Sequence, residues 1–162
     1  MSETVEIRIR IDDDDDLTAA HETAMSTPGV DIQEAQAPAG DGFEEQIAPI
    51  AAVLIGAGVL AAAKFIVDWW EKRKGGLVID QRPGAADMIS RDKDVPWGYV
   101  VLFAAEGGEV KVETKDAPKD AVERWISEVI SGTLKSVTDI ATAAAKSIGG
   151  DKVKEVPQAP KP

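Results

Sequence analysis

The apolar run from Ile47 to Val67 constrains the fold of this chain more than any other segment. It holds a single charge, Lys64, and an aromatic and basic border follows it: Trp69, Trp70, Lys72, Arg73 and Lys74. As one helix with a rise of about 1.5 Å per residue, the run would cover roughly 30 Å, the hydrocarbon thickness of a bilayer. The run therefore predicts either a membrane span with an interfacial anchor or a fully buried helix of a folded core.

The whole net charge of the chain lies before this run. Residues 1–46 hold thirteen acidic residues against Arg8 and Arg10, a balance of 2 − 13 = −11, and residues 47–162 hold sixteen residues of each sign. An acidic surface repels nucleic acid, so no nucleic-acid partner is predicted. Basic residues after the run favour a single-pass membrane protein whose C-terminal part is cytoplasmic.

Periodicity predicts the elements before the run. Strict alternation at Val5–Ile11 is typical of a strand with one solvated face. A short helix over Leu17–Met25 and a weaker strand over Val30–Gln36 complete an acidic N-terminal strand-helix-strand segment, residues 1–42. A single long hydrophobic helix is predicted over residues 43–74.

The segment after the helix, residues 75–131, predicts a strand, a hairpin and a helix. Its elements are a strand at Leu77–Asp80, hairpin strands at Tyr99–Ala105 and Glu109–Thr114, and a helix at Lys119–Ser131. Gly107 and Gly108 predict a two-residue hairpin turn, with Phe103 opposite Val112 and Ala105 opposite Val110. A tail helix is predicted over residues 132–150 and a disordered tail over residues 151–162.

These elements predict an α+β fold with a small, mostly antiparallel sheet, helices packed on one face, and one long hydrophobic helix that is transmembrane or buried. The strand at Val5–Ile11 needs a sheet partner, which favours the buried helix and a cytoplasmic protein. One contact separates the two hypotheses. If Ile7 and Ile9 lie in the sheet that contains Phe103, the hydrophobic helix belongs to the core.

No residue pattern predicts catalysis, a cofactor or a small-molecule substrate. Asp12, Asp14 and Asp16 have the spacing of a calcium loop, but the glycine and the glutamate of that motif are missing, so a solvated turn is the alternative. His21 is the single histidine and has no neighbouring nucleophile pattern. The absence of cysteine excludes thiolate chemistry. The chain is predicted not to be an enzyme.

Small residues in the apolar run predict a packing surface. Ala52 and Gly56 are four residues apart, as are Gly58 and Ala62, so in a helix each pair would lie on one face where another backbone can approach closely. Ordinary packing within the core of the same chain is the alternative.

In outline the sequence resembles the effector-associated constant component family of bacterial conflict systems. The pieces that carry the resemblance are VEIRIRI, VLIGAGVLAAAKFIVDWWEKRK, LVID and EGGEVKVET, within roughly residues 4–131. The resemblance implies a non-enzymatic adaptor or signalling component of a defence system, membrane-associated, with protein effectors as partners or with self-association. Two alternatives remain: a membrane-active, holin-like oligomer, and a soluble α+β interaction domain with a buried hydrophobic helix.

Overall fold

The structure is a computed structural model that describes residues 4–11, 13–34, 50–72, 75–84, 87–132 and 134–156. The strands are β1 (Val5–Ile11), β2 (Val30–Glu34), β3 (Ile50–Gly56), β4 (Gly76–Asp80), β5 (Ile89–Asp92), β6 (Tyr99–Phe103), β7 (Glu109–Glu113) and β8 (Val153–Val156). The helices are α1 (Asp14–Ser26), α2 (Val59–Glu71), α3 (Lys119–Ile130) and α4 (Val137–Ser147), with a short 3-10 helix at Gly150–Lys152.

The strands form one mixed sheet in the order β2-β3-β1-β5-β4-β6-β7-β8. The pairs β1–β5 and β4–β6 are parallel, and the other neighbouring pairs are antiparallel. The predicted α+β class is confirmed, but the sheet is larger than the small sheet that was predicted. The difference comes from strands β3, β5 and β8, which the sequence patterns did not predict.

The first half of the chain follows the connection order of the split βαβ motif. Helix α1 connects the parallel strands β1 and β2, and β3 lies between them. Helix α2 then crosses to β4, and β5 lies between β1 and β4. As a result Ile7 and Ile9 lie in the same sheet as Phe103. Because these residues share one sheet, the apolar run belongs to the core and is not separated from it by a membrane.

The predicted single helix over residues 43–74 is wrong. The apolar run contains a strand, β3, and then a helix, α2, and the chain changes direction at Gly58, where φ is +118°. Residues 43–49, 73 and 74 lie outside the described residues. No helix in the described parts of the chain is long and apolar enough to cross a membrane. The predicted membrane span, and the single-pass location that depended on it, are therefore wrong.

Strand β3 has a continuous apolar sequence because it is an interior strand. It pairs with β1 on one side and with β2 on the other. Ala52 and Leu54 are fully buried on the side of the helices, and Val53 and Ile55 on the opposite side are half-buried. A strand that is apolar on both faces has no alternation to distinguish it from a buried helix.

The helices pack side by side on one face of the sheet in the order α1-α2-α3-α4. Helix α2 contributes the largest share of this layer, with Phe65, Ile66 and Trp69 completely buried. Helix α3 adds Trp125 and Ile126, which are also inaccessible to solvent. All these side chains belong to one hydrophobic core, which extends from the β2 edge of the sheet to α4.

The predicted hairpin is confirmed, but its register is wrong. Leu102 pairs with Val110, and Phe103 lies opposite Glu109 rather than Val112. The turn is longer than the two glycines because Ala104 N–H donates to the Gly108 carbonyl at 3.0 Å, which places residues 104–108 in the connection. The prediction placed only Gly107 and Gly108 in the turn, and this assumption shifted the predicted pairs of residues between the two strands.

The predicted disorder of the tail is wrong for Val153–Val156. These residues form β8, which pairs antiparallel with β7. The tail helix exists as α4, where the Ser136 hydroxyl caps the N-terminus by accepting from Asp139 N–H at 3.1 Å. Residues 157–162 lie outside the described residues.

Candidate interaction site

Trp97 is the most prominent aromatic side chain on the surface of the described residues. It is 48% exposed, and among the described residues only two other large apolar residues, Leu60 and the more exposed Met25, are at least as accessible. It lies in the connection between β5 and β6, residues 93–98, called here the Trp97 loop. An exposed indole at a fixed position is a candidate contact for a partner protein, since tryptophan is enriched among the residues that dominate binding energy.

Backbone hydrogen bonds fix both ends of the Trp97 loop. At its first end, Gly76 N–H donates to the Val95 carbonyl at 2.7 Å. At its second end, the backbone N–H and the hydroxyl of Thr114 both donate to the Gly98 carbonyl, at 2.7 and 3.1 Å. The loop is therefore tied to β4 on one side and to the end of β7 on the other.

Gly98 is required at its position for two reasons. Its φ of +93° lies in the left-handed region that side chains disfavour, and a Cβ there would lie 2.7 Å from the Cβ of Lys115. The loop can approach residues 114 and 115 this closely only with glycine at position 98.

The ring of Trp70 packs against the ring of Trp97. It lies in the last turn of α2, is 3% exposed, and donates from Nε1 to the Gly75 carbonyl at 2.9 Å. Its ring centroid is 6.3 Å from that of Trp97, and the two ring planes are inclined at 31°. This separation lies within the range of favourable aromatic contacts. The exposed indole consequently rests on a buried, hydrogen-bonded one.

A small cleft lies beside this pair, with about 60 Å³ of space. We call it the Trp97 cleft; it is lined by Val67, Trp70, Glu71, Trp97, Gly98, Thr114, Lys115, Ala117, Lys119 and Val122. Two valines and two indoles give it apolar walls, and charged side chains form its rim. The space is sufficient for one small side chain or ring.

Ion pairs organise one rim of the cleft. Lys119 at the start of α3 pairs with Asp68 and, at 3.8 Å, with Glu71, both on α2. The hydrogen bond to Asp68 is the main cause that raises the pKa of Lys119. Because these side chains are exposed to solvent, the pairs position the rim and contribute little to stability.

Tyr99, the residue after Gly98, connects the elements next to the site. Its hydroxyl donates to Glu113 at 3.0 Å and is the main cause that lowers the pKa of that carboxyl, with a further contribution from Lys152 at 3.4 Å. The ammonium group of Lys115 lies 5.7 Å from the centroid of the Tyr99 ring. Strands β6, β7 and the 3-10 helix are thus connected next to the cleft.

The small residues predicted as a packing surface lie elsewhere. Ala52 and Ala62 are fully buried, and Gly56 ends β3 so close to α2 that a Cβ would lie 3.1 Å from that of Ala62. Gly58 is the N-cap residue that precedes α2, and a Cβ there would have no atom within 4 Å. The four residues therefore divide between a strand, a cap and a helix and do not form a single helix face. The surroundings of Ala52, Gly56 and Ala62 match the alternative, ordinary packing within one core.

The residues of the predicted aromatic and basic border separate in the structure. Trp69 is completely buried, Trp70 lines the cleft, and Lys72 is exposed at the end of α2. Arg73 and Lys74 lie outside the described residues. Sequence reasoning missed Trp97, although its position between Pro96 and Gly98 in a loop was a usable signal.

The aspartate cluster has a structural role at Asp16. Its carboxylate is wholly buried and accepts from Trp69 Nε1 at 3.0 Å and from Arg91 at 3.1 Å. A carboxylate with these partners is not available to a calcium ion at the surface. Among the residues that the structure describes, which do not include Asp12, no group of His, Asp or Glu is placed to hold a metal.

Comparisons with known proteins give no match: no family model fits the chain, and neither a curated protein nor a solved structure matches it. The resemblance to the effector-associated constant component family therefore stays a prediction. Geometry and chemistry at the Trp97 cleft are the remaining basis for a functional inference.

Proposed function

We propose that this chain is a non-enzymatic interaction domain that binds a partner protein through the Trp97 cleft. The observation that carries the proposal is the exposed Trp97 indole, held on a fixed loop against buried Trp70 and bordered by charged side chains. Apolar aromatic centres with polar rims are the usual anatomy of protein–protein interfaces.

The fixed position of Trp97 favours binding. Ordering a mobile side chain on association costs about 0.5–1.5 kcal/mol. At Trp97 much of this ordering is already present, because Gly98 and Thr114 hold the loop and Trp70 supports the ring. More of the contact energy then remains for affinity.

The resemblance described for the sequence supports a particular class of partner. It implies an adaptor of a bacterial conflict system whose partners are effector proteins or further copies of the same chain, and we propose that the Trp97 cleft contacts such a partner. A holin-like oligomer is the weaker proposal, because the small residues that it would need on a helix face, Ala52, Gly56 and Ala62, are buried in the core.

Co-purification with a matched pair of variants tests the proposal. The tagged chain is expressed in its native host, and the proteins bound to it are identified for the native sequence, Trp97→Ala and Leu60→Ala. Leu60 is the control because its side chain is as exposed as that of Trp97 and does not line the cleft. We expect Trp97→Ala to lose a discrete partner that Leu60→Ala keeps, since truncation of such a residue costs about 2 kcal/mol or more. Retention of the same partners by Trp97→Ala would contradict the proposal.

A further inference from the structure

We propose that the Trp97 cleft binds a proline-rich segment, and that the segment is residues 157–162 of a second copy of this chain. The inference rests on the proposed function, because it names an occupant for the same cleft.

The sequence Pro157-Gln158-Ala159-Pro160-Lys161-Pro162 directly follows β8. Proline fixes φ near the value of the polyproline II helix, which has three residues per turn. Pro157 and Pro160 are three apart, so in that conformation they lie on the same edge. Because proline restricts the backbone of the free chain, a proline-rich segment loses little conformational entropy when it docks.

The cleft has the chemistry that such segments require. Proline-rich segments dock in grooves lined by aromatic side chains. Here the inclined rings of Trp70 and Trp97, with Val67 and Val122, form apolar walls around about 60 Å³, enough for one prolyl ring. A second prolyl ring one turn along would lie over the exposed part of Trp97.

One carboxylate among the charged residues that line the cleft, which are Glu71, Lys115 and Lys119, can accept the charge of Lys161. Glu71 lies on the rim with its side chain 42% exposed, and its cationic neighbour Lys119 is bonded more closely to Asp68. Lys161 directly follows Pro160. With Pro160 in the cleft, the Lys161 ammonium group can pair with Glu71.

Distance favours a second copy over the same chain. The end of β8 at Val156 lies opposite Glu109, whereas the cleft lies beyond the other end of β7, at Thr114. Along β7, Glu109 and Thr114 are separated by roughly 17 Å at about 3.4 Å per residue. Strand β8 runs in the direction that leads away from the cleft. Residues 157–162 span about 19 Å in polyproline II conformation, so the return path alone would use nearly all of them. A second copy can present the segment without a reversal.

Sedimentation analysis of full-length variants, with peptide competition, tests this inference. We expect the native chain to self-associate as its concentration rises, and a synthetic peptide of residues 155–162 to dissociate the complexes and bind the cleft. Trp97→Ala, and a full-length variant with Pro157, Pro160 and Pro162 changed to alanine, are expected to stay monomeric, while Leu60→Ala associates like the native chain. The triple-alanine peptide should bind at least about tenfold more weakly, or about 1.4 kcal/mol.

Three results would overturn the inference: equal binding of the native and triple-alanine peptides, peptide binding that Trp97→Ala does not weaken, or a native chain that stays monomeric well above the dissociation constant of the peptide. Its failure can be told apart from failure of the proposed function. If Trp97→Ala loses a co-purified effector but the peptide does not bind, the interaction site stands and only its proline-rich occupant is wrong.

Discussion

The buried ion pair between Asp16 and Arg91 gives the most direct test of how this fold is held together. The pair joins α1 to β5, and both side chains are almost inaccessible to solvent. Trp69 on α2 completes the cluster: its indole donates to Asp16, its carbonyl accepts from Arg91 at 2.8 Å, and the guanidinium lies 4.3 Å from its ring centroid. The perturbation is Asp16→Ala.

The structure sets the size of the expected effect. Asp16→Ala breaks a buried ion pair by removing the carboxylate that lies 3.1 Å from the Arg91 guanidinium, a change that typically costs about 3–5 kcal/mol. It also removes the acceptor of the Trp69 indole N–H, for which the usual cost is about 1–3 kcal/mol. Because the two effects share one carboxylate and are not additive, the lower limit of the larger effect applies, and we expect a loss of at least about 3 kcal/mol in the free energy of unfolding. Such a loss is a large fraction of the stability of a typical domain.

The double variant Asp16→Ala/Arg91→Met distinguishes the cost of breaking the buried ion pair from the cost of the packing volume lost at position 16. Replacement of both members of a buried pair by apolar groups is often neutral or stabilising. We therefore expect the double variant to be more stable than Asp16→Ala alone, although it carries one more substitution. A methionine side chain can also fill the space left by the stem of Arg91.

Urea unfolding followed by circular dichroism measures these differences, with Asp15→Ala as the control. Asp15 lies in the same turn of α1 but is exposed, so its loss removes only a favourable helix-dipole interaction, worth about 0.3–1 kcal/mol. The reasoning is refuted if Asp16→Ala costs no more than Asp15→Ala. It is also refuted if the double variant is less stable than the single one.

Three further predictions concern other sites. Gly98→Ala should destabilise the fold by about 1–3 kcal/mol in urea unfolding, because the added Cβ meets Lys115 at a positive φ; an unchanged midpoint would count against it. Glu123→Gln should raise the unfolding temperature at pH 7, because burial raises the pKa of Glu123 and the folded state therefore disfavours its charge. The gain should vanish below pH 4.5, the ordinary pKa of the carboxyl, where the folded and unfolded states are both protonated. A gain that does not depend on pH would contradict this cause. Trp125→Phe should reduce the free energy of unfolding by at least about 1 kcal/mol less than Trp69→Phe does. The reason is that the Trp69 N–H donates to Asp16, whereas the buried Trp125 N–H has no hydrogen-bond partner among the described residues. Equal losses for the two variants would argue against this reason.

Elements with a clear period were predictable from the sequence. Strand β1 shows strict alternation with one exposed face, and α3 carries its apolar residues at helical spacing, so both were found near their observed bounds. In each case one face contacts the core and the other contacts solvent. That difference is what a periodic pattern records.

Strands without such a pattern were missed for physical reasons. In β5 the side chain of Arg91 points into the core, so a charge stands where alternation requires an apolar residue. Partners that are distant in sequence, among them Asp16 and the carbonyl of Trp69, stabilise the charge at that position. β8 is a short edge strand with two charged residues, and its composition resembles that of a disordered tail. Local sequence cannot reveal a partner that tertiary structure supplies.

The candidate site was predictable only in part. Trp70 was noticed because it follows the apolar run, but as a membrane anchor rather than a support for another indole. Trp97 lies between two predicted strands, in a segment for which no helix or strand was predicted, and the structure adds the information that this loop is tied to Gly76 and Thr114. Neighbours that are distant in sequence make the exposed indole a defined surface.

The apolar run shows why hydropathy alone favoured the wrong environment. Hydropathy counts apolar residues but does not record that the chain reverses at Gly58, which converts a length sufficient to span a bilayer into two shorter elements, β3 and α2. Both are apolar because each has neighbours on two sides: β3 lies between β2 and β1 in the sheet, and α2 lies between α1 and α3 on the face of the sheet. The decisive constraint was the strand at β1, which needs a sheet partner and finds β3 on one side and β5 on the other.

The junction between β1 and β5 explains why the buried ion pair lies where it does. The two strands pair only at Ile9 and Ile89, with one further hydrogen bond from Met88 N–H to the Arg8 carbonyl at 3.1 Å. This is the shortest ladder in the sheet, yet it joins the acidic N-terminal strands to the rest. The Asp16–Arg91 pair links α1 to β5 across that junction, and α2 covers it from above. Separation of β1 from β5 would expose the hydrophobic core on both sides of the junction. The buried cluster of Asp16, Arg91 and Trp69 therefore acts where backbone pairing contributes least, although its burial has a cost in free energy.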